Sequence, residues 1–131
     1  MEIRIGLEHT DFATVHGWLT NTYWSPGVSR ETVVRAAKYS SIIVNGFEGD
    51  RQIGYCRVVS DRTTFAWVCD VYVAEDERGK GYARAMVTAA MDDPEHQGLR
   101  RWLLATKDAH GLYAQMGFEQ LVEPARWMVR H

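Results

Sequence analysis

The sequence has no apolar run approaching the ~18 residues that a membrane-spanning helix needs, so we expect no membrane partner. It also lacks an excess of basic residues. The formal net charge is -2 at pH 7, which argues against nucleic acid as the main partner, because domains that track phosphates are usually basic. The first five residues alternate charged and apolar side chains, a pattern unlike that of a signal peptide.

Cysteine is also scarce, with only Cys56 and Cys69 in the chain. Their spacing fits no metal-binding motif, so we expect no metal site. We interpret both as packing residues rather than as redox or nucleophilic groups. A reduced cytoplasmic location is the simplest expectation for such cysteines.

The remaining composition is that of an ordinary globular protein. The 131 residues are 46% hydrophobic and 24% charged, which suits one domain, residues 1–131, with a substantial core. No internal repeat, linker or low-complexity tract interrupts the chain. The five Trp and six Tyr are many for this length, and we interpret them as core and pocket-lining residues.

Apolar periodicity and turn signals predict the element order β-α-α-β-β-β-α-β-α-β. Strands are expected at residues 2–6, 41–48, 52–60, 64–74 and 101–106, with one or two more within 118–121 and 126–130. Helices are expected at about 10–21, 29–39, 80–92 and 108–116, with Thr10 or Asp11, Ser29 and Asp108 as caps. Three hairpin-linked strands and one β-α-β crossover predict an α/β fold with a mixed, mostly antiparallel sheet and helices on both faces.

The most informative segment is the glycine-rich turn at residues 78–83, Arg-Gly-Lys-Gly-Tyr-Ala, between the long strand and a helix start. Glycines there let a ligand approach the backbone, and free N–H groups at a helix start favour an anion. Arg78, Lys80 and Arg84 add positive charge, so a pyrophosphate is the expected occupant. The alternative is a turn without a ligand. Neither the Walker pattern nor the G-x-G-x-x-G dinucleotide fingerprint is present.

These residues give the sequence its resemblance to the GNAT superfamily of N-acetyltransferases. The family signature Arg/Gln-x-x-Gly-x-Gly/Ala is matched by Arg78, Gly81 and Ala83. The preceding residues 70–77 resemble the family's strand and its acidic exit. The family's aromatic-Gly-Phe feature appears at residues 112–119, at the expected spacing. The resemblance covers nearly the whole chain and implies acetyl-CoA as co-substrate.

The resemblance also implies roles for individual residues. The coenzyme-binding residues would be Val71, Tyr72, Val73, Arg78, Gly79, Lys80, Gly81, Tyr82, Ala83 and Arg84. Backbone N–H groups of residues 78–83 would bind the pyrophosphate, and Val71 and Val73 would pair with the pantetheine arm as an added strand does. Tyr113 would lie near the thioester sulfur. Many family members have an Asn before the last helix; here residues 106–108 are Thr-Lys-Asp, so that coenzyme contact is not carried over.

Two residues are our candidates for catalysis. Simple strand alternation puts Asp70 on the same side as Ala66 and Val68, as a lone carboxylate in a strand that is apolar on both sides. It is either a base for the acceptor amine or a hydrogen-bonded structural residue. The Tyr113 hydroxyl can donate to the leaving thiolate, the alternative being a core tyrosine. The Val71 N–H is the donor that the family implies for the oxyanion.

Other residues leave alternatives open. His16 is expected to be packed and His110 to face either the cleft or solvent, while Tyr23, Trp24 and Trp127 are candidate pocket-lining residues. We expect an N-acetyltransferase that uses direct attack by a small-molecule or peptide amine. The alternative is a catalytically silent acyl-CoA-binding module of the same fold. The acceptor's identity and the oligomeric state stay open, a homodimer being one alternative.

Overall fold

The computed structural model describes residues 1–131, which form one five-stranded sheet and four α-helices. The strands are β1 (Glu2–Ile5), β2 (Ile42–Glu48), β3 (Arg51–Ser60), β4 (Phe65–Val73) and β5 (Arg101–Leu103). The helices are α1 (Phe12–Leu19), α2 (Arg30–Lys38), α3 (Tyr82–Asp92) and α4 (His110–Ala114). The strands follow chain order across the sheet; β1 to β4 are antiparallel neighbours and β5 runs parallel to β4. The predicted fold class is confirmed.

Alternation along the central strands gives the sheet an apolar layer on each face. Val44 and Cys56 point into the core formed with α3 and α4. Their neighbours Ile43 and Tyr55 point the other way, into the core formed with α1 and α2. Because successive side chains in a strand face opposite sides, one β2–β3 hairpin contributes to both cores.

Helix starts follow local capping chemistry in two of the three predicted cases. Asp11 and Ser29 accept hydrogen bonds from the N–H groups of Thr14 and Thr32 and cap α1 and α2. The prediction that Asp108 caps α4 is wrong. That helix begins only at His110, and the N–H of Ala109 donates to Thr106 Oγ1 at 3.1 Å. Thr106 thus orders the residue before the helix, and no side chain caps α4 itself.

The predicted C-terminal strands are absent. Residues 118–121 and 126–130 form no strand, and a single 3-10 turn spans Pro124–Arg126. The apolar pattern that suggested strands is present, but Met128 and Val129 within it are largely exposed. A strand is stabilised by pairing and burial rather than by propensity alone, and this segment pairs with no neighbour in the sheet.

None of the helices has the length and apolarity needed to cross a bilayer.

Candidate active site

The centre of the site is a β-bulge in β4. Tyr72 pairs with Tyr55 and Cys69 pairs with Arg57, so two residues of β4 oppose a single residue of β3. The extra residue is Asp70, whose φ of 52° lies in the left-handed region. Aspartate tolerates that conformation better than most residues because its short polar side chain can form local hydrogen bonds. The bulge bends β4 at Asp70–Val71.

Beyond the region where β4 pairs with β5, one edge of β4 is left without a strand partner. The β4–β5 pairing covers only Phe65–Trp67, although β4 continues to Val73. The backbone of the last residues of β4 is therefore available to an extended ligand. At the C-terminal end of β4, Arg78 Nε donates to the Val73 carbonyl at 2.9 Å, and this contact links the strand edge to the glycine loop.

The bulge changes the side of the sheet on which Asp70 lies. Ala66, Val68 and Val73 are buried in the core formed with α3, and the partly buried Val71 packs against the same core, so the alternation shifts by one residue at Asp70. The expectation that Asp70 shares a side with Ala66 and Val68 is therefore wrong. A bulge inserts one residue into the two-residue period, which simple alternation cannot anticipate.

Asp70 instead lies on the face of the sheet that carries α1 and α2. One of its carboxylate oxygens accepts from Arg57 Nε at 2.7 Å and the other from Trp24 Nε1 at 2.9 Å. The Arg57 and Asp70 side chains are only 18% and 15% exposed. Arg57 is a site residue that the sequence reasoning missed. The available signal was a lone arginine in an otherwise apolar stretch of β3, the charge complement of the lone aspartate in β4.

A cavity of about 690 Å³ brings the two catalytic candidates together. Asp70, Val71 and Tyr113 all line it, as do Tyr23 and Trp24 from the segment between α1 and α2. Trp67 and Cys69, which the sequence reasoning did not place at a pocket, line it too. Trp127 does not; it faces β5 across a second cavity, of about 1330 Å³, between that strand and the C-terminal segment.

Tyr113 is buried in α4 and packs its ring edge-on against Phe118, with ring centres 5.8 Å apart. Burial raises the pKa of the Tyr113 hydroxyl to about 12, with smaller contributions from Cys56 and Tyr23. A phenol in this environment keeps its proton at neutral pH and can donate a hydrogen bond. Gly117, with a φ of 92°, ends the helical turn and lets the Phe118 N–H return to the Tyr113 carbonyl at 3.0 Å.

The glycine loop lies at the N-terminus of α3. Gly79 and Gly81 have φ values of 81° and 82°, and no atom lies within 4 Å of where a Cβ would stand on either. Gly81 precedes the first helical residue, and no side chain caps the helix. The first-turn N–H groups therefore face open space beside two glycines, an arrangement that suits a phosphate.

The charges around the loop are partly matched within the protein. Lys80 Nζ binds Glu77 Oε2 at 2.7 Å, which raises the pKa of the lysine. Arg51 pairs with Asp76 at 2.9 Å. Arg84 is exposed and forms no ion pair, so it is the cation most free to meet an incoming anion.

The remaining candidates have structural or peripheral positions. His16 is partly buried and hydrogen-bonds the Val28 carbonyl at 2.9 Å, as expected of a packed histidine. His110 is exposed and lines the C-terminal cavity rather than the one beside Asp70. Burial raises the pKa of the Cys56 thiol to about 12 and also raises that of Cys69. No three His, Cys, Asp or Glu side chains cluster closely enough to hold a metal ion.

Comparison with known proteins agrees with this geometry. The model of the acetyltransferase (GNAT) family matches residues 8–118. No curated protein sequence matches the chain. A solved structure from Xanthomonas campestris pv. campestris, described as a candidate acetyltransferase of the GNAT family, is 38% identical with a TM-score of 0.93, over 100% of this chain and 94% of that one.

More distant structures share the fold. A candidate acetyltransferase from Staphylococcus aureus is 20% identical with a TM-score of 0.78, over 99% of this chain and 98% of that one. A candidate acetyltransferase from Clostridium acetobutylicum, solved with acetyl-CoA, is 13% identical with a TM-score of 0.72, over 99% and 95% of the two chains. With the family model covering most of its residues, the chain belongs to the GNAT family of acetyltransferases.

Proposed function

We propose that the chain is, over its whole length, an N-acetyltransferase that transfers the acetyl group of acetyl-CoA to a primary amine by direct attack within a ternary complex. The observation that supports this most is the opening of the sheet beyond the β4–β5 pairing. That opening has the uncapped start of α3 nearby, and the adjoining cavity is lined by Asp70, Val71 and Tyr113. A cytoplasmic location belongs to the same proposal, because both cysteines are free thiols.

Acetyl-CoA would bind along this opening. Backbone N–H groups of residues 78–83 would hold the pyrophosphate, with Arg84 as the nearby unpaired cation. The pantetheine arm would extend along the free edge of β4 at residues 71–73. Tyr72 would contribute through its backbone, since its ring stacks on Trp18 at 5.0 Å. The Arg78–Val73 contact would give way if the arm used the Val73 carbonyl.

The acceptor must lose a proton before it can attack. An alkylamine with a pKa of ~10.4 is neutral in only about one molecule in 2,500 at pH 7, a penalty of about 4.6 kcal/mol. In our proposal Asp70 takes that proton directly or through a water molecule. Both of its oxygens accept hydrogen bonds from the protein, so the amine or water would have to share one of them. The alternative is that Asp70 only holds Trp24 and Arg57 in place.

The next steps form and collapse the tetrahedral intermediate. The neutral nitrogen attacks the thioester carbon, and the N–H of Val71 stabilises the oxyanion that forms. The carbon–sulfur bond then breaks, the electron pair goes to sulfur, and the Tyr113 hydroxyl donates a hydrogen bond to the leaving thiolate. The second proton leaves the attacking nitrogen for the thiolate, through water, so the products are the neutral amide and the free thiol. A covalent acetyl-cysteine route has less support, because the raised pKa values of Cys56 and Cys69 keep both thiols protonated.

The test is a screen of amines in which free thiol release from acetyl-CoA is followed and acetylated product is identified by mass. Amine-dependent release with one acetyl group added to nitrogen supports the proposal. Tight acetyl-CoA binding with no release across small amines, amino acids, aminoglycosides and peptides would instead favour the silent acyl-CoA-binding module. Absence of acetyl-CoA binding would contradict both.

A further inference from the structure

The acceptor end of the cavity beside Asp70 is built mainly from apolar and aromatic side chains. We call this end the acceptor pocket. It is lined by Leu19, Tyr23, Trp24, Val28, Val33, Ala36 and Trp67, with two hydroxyl residues, Ser25 and Thr32, that already form hydrogen bonds within the protein. Its aliphatic side comes from α1, α2 and their connection, and its aromatic side from the same connection and from β4. A pocket with this lining buries an apolar body, and few polar groups within it are available to satisfy a charged one.

The two largely buried charges of the pocket, Arg57 and Asp70, compensate each other. The Arg57 guanidinium is the one cation on its floor, and its Nε lies 2.7 Å from the Asp70 carboxylate. Because Asp70 already balances the charge of Arg57, a carboxylate on the acceptor would add an uncompensated negative charge beside a largely buried ion pair. Lys107 lies at the rim, exposed, with its ammonium 5.6 Å from the centre of the Tyr23 ring. The interior therefore offers no free cation to hold an anionic group.

The aromatic side of the pocket is held in a defined orientation. The rings of Tyr23 and Trp24 meet edge to face with centres 5.0 Å apart. The Trp24 indole N–H donates to the Asp70 carboxylate at 2.9 Å, and the Tyr23 hydroxyl accepts from the backbone N–H of Lys107 at 2.8 Å. Indole and phenol faces attract an ammonium group and also pack against an aryl ring. This wall can steer a cationic amine towards Asp70 before the amine is deprotonated.

From this lining we infer that the acceptor is a primary amine on an apolar, aryl-sized body without a carboxylate, that is, an arylalkylamine. Its nitrogen would point to Asp70 and Val71, and its body would lie against Trp24 and Trp67. The inference rests on the proposed N-acetyltransferase function and narrows it to one substrate class. Trp24 becomes a residue that determines specificity, oriented by its hydrogen bond to Asp70.

Matched amines test the substrate class. We expect kcat/KM for 2-phenylethylamine and tryptamine to exceed that for phenylalanine and tryptophan, which add only the carboxylate, by at least 100-fold. Phenylalaninamide keeps the added bulk but not the charge, so it should recover at least a tenth of the activity with 2-phenylethylamine. Failure of phenylalaninamide alongside phenylalanine would show that bulk, not charge, is excluded and would overturn the charge argument.

Two tryptophans of nearly equal exposure provide a matched pair of variants. Trp24 is 43% exposed and lines the acceptor pocket, whereas Trp127 is 42% exposed and does not. Trp24→Ala should raise KM for 2-phenylethylamine at least 10-fold while the acetyl-CoA dissociation constant changes less than threefold. Trp24→Phe should restore most of the affinity, and Trp127→Ala should leave both constants unchanged. Equal effects of the two alanine variants would contradict a specific role for Trp24.

The outcomes separate this inference from the proposed function. Higher kcat/KM with amino acids, spermidine or lysine peptides than with arylalkylamines would overturn the inference and leave the N-acetyltransferase proposal standing. Acetyl-CoA binding without thiol release from any amine would overturn both. Faster turnover of arylalkylamines, with the Trp24 effect on KM, is the expected result.

Discussion

Asp70 occupies a left-handed backbone conformation, with φ of 52°, in the middle of a strand. Its side chain joins β3, through Arg57, to the segment before α2, through Trp24. A single residue thus sets the bend of β4 and the orientation of two neighbouring side chains. Because the left-handed conformation of Asp70 underlies both the bend and the side-chain contacts, a substitution tests the chemistry of the carboxylate only if it preserves that backbone conformation.

Asp70→Asn meets that requirement, because asparagine also tolerates the left-handed region. We expect turnover to fall by roughly 100-fold, at the lower end of the range for a lost base, with acetyl-CoA affinity within a few-fold of wild type. Loss of the ion pair to Arg57 should lower the free energy of unfolding by roughly 1–3 kcal/mol. Steady-state kinetics, calorimetry and urea unfolding measure the three quantities. Loss of the folded state would support the structural alternative, and full activity with an unchanged pH profile would remove Asp70 from the mechanism.

Tyr113→Phe removes one hydroxyl from a residue whose ring packing is kept. Charge builds on sulfur as the thioester breaks, so a hydrogen bond from the hydroxyl strengthens in the transition state and acts on rate rather than on binding. We expect the single-turnover rate to fall by roughly 100-fold, and acetyl-CoA affinity to change by less than threefold. An unchanged rate would make Tyr113 a packing residue only.

The raised pKa of Tyr113 also predicts a pH profile. Burial favours the neutral phenol, so the hydroxyl keeps its proton up to a pH near 12 rather than near the ordinary value of about 10. The maximal rate should therefore rise as the acceptor amine is deprotonated and show no descending limb from Tyr113 up to about pH 10.5. Rates measured from pH 6 to 10.5, corrected for thioester hydrolysis, test this. A descending limb near pH 10 that disappears in Tyr113→Phe would contradict it.

The loop from β4 to α3 combines two left-handed glycines with an uncapped helix start. Two substitutions of Gly81 separate the effect of an added negative charge from the effect of backbone strain. Gly81→Asp should abolish acetyl-CoA binding, because a carboxylate would occupy the anion site and repel the phosphates. Gly81→Asn is the control. It imposes similar backbone strain at φ of 82° and similar volume in open space, but no charge.

Calorimetry with acetyl-CoA and circular dichroism measure the outcome of this pair. We expect both variants to fold and the asparagine variant to bind at least 10-fold more tightly than the aspartate variant. Normal binding by Gly81→Asp would place the phosphate site elsewhere. Equal loss in both would assign the effect to backbone geometry or to side-chain capping of the helix start rather than to charge.

The four helices and the sheet form two apolar cores, one on each face of the sheet. The proposed coenzyme site draws on several of these elements: β4, the glycine loop at residues 78–83 and α4. A ligand that binds only the folded chain stabilises it by mass action. Acetyl-CoA at 100 times its dissociation constant should add about 2.7 kcal/mol, which corresponds to a rise in melting temperature of roughly 10 °C for a chain of this size. Thermal melts with and without acetyl-CoA measure the shift, with Gly81→Asp as the variant that should show none. No shift at millimolar acetyl-CoA would count against the proposed function.

Local patterns in the sequence were sufficient for much of the fold. The strand–loop–helix around residues 78–83, the caps at Asp11 and Ser29 and the mixed sheet are all confirmed. Each depends on interactions within a few residues or on a repeating period. The roles proposed for Tyr113 and Asp70 stay predictions, although both residues line one cavity.

Tertiary structure decided what depends on contacts between distant residues. The bulge at Asp70 reversed its expected side, because a one-residue insertion shifts a two-residue period and its position depends on the pairing with β3. The partnership of Asp70 with Arg57 and Trp24 joins three separate elements. The C-terminal segment has a strand-like pattern but no paired edge, so it forms no strand. Only the folded chain distinguishes Trp24, at the acceptor pocket, from Trp127, which is nearly as exposed but lies elsewhere.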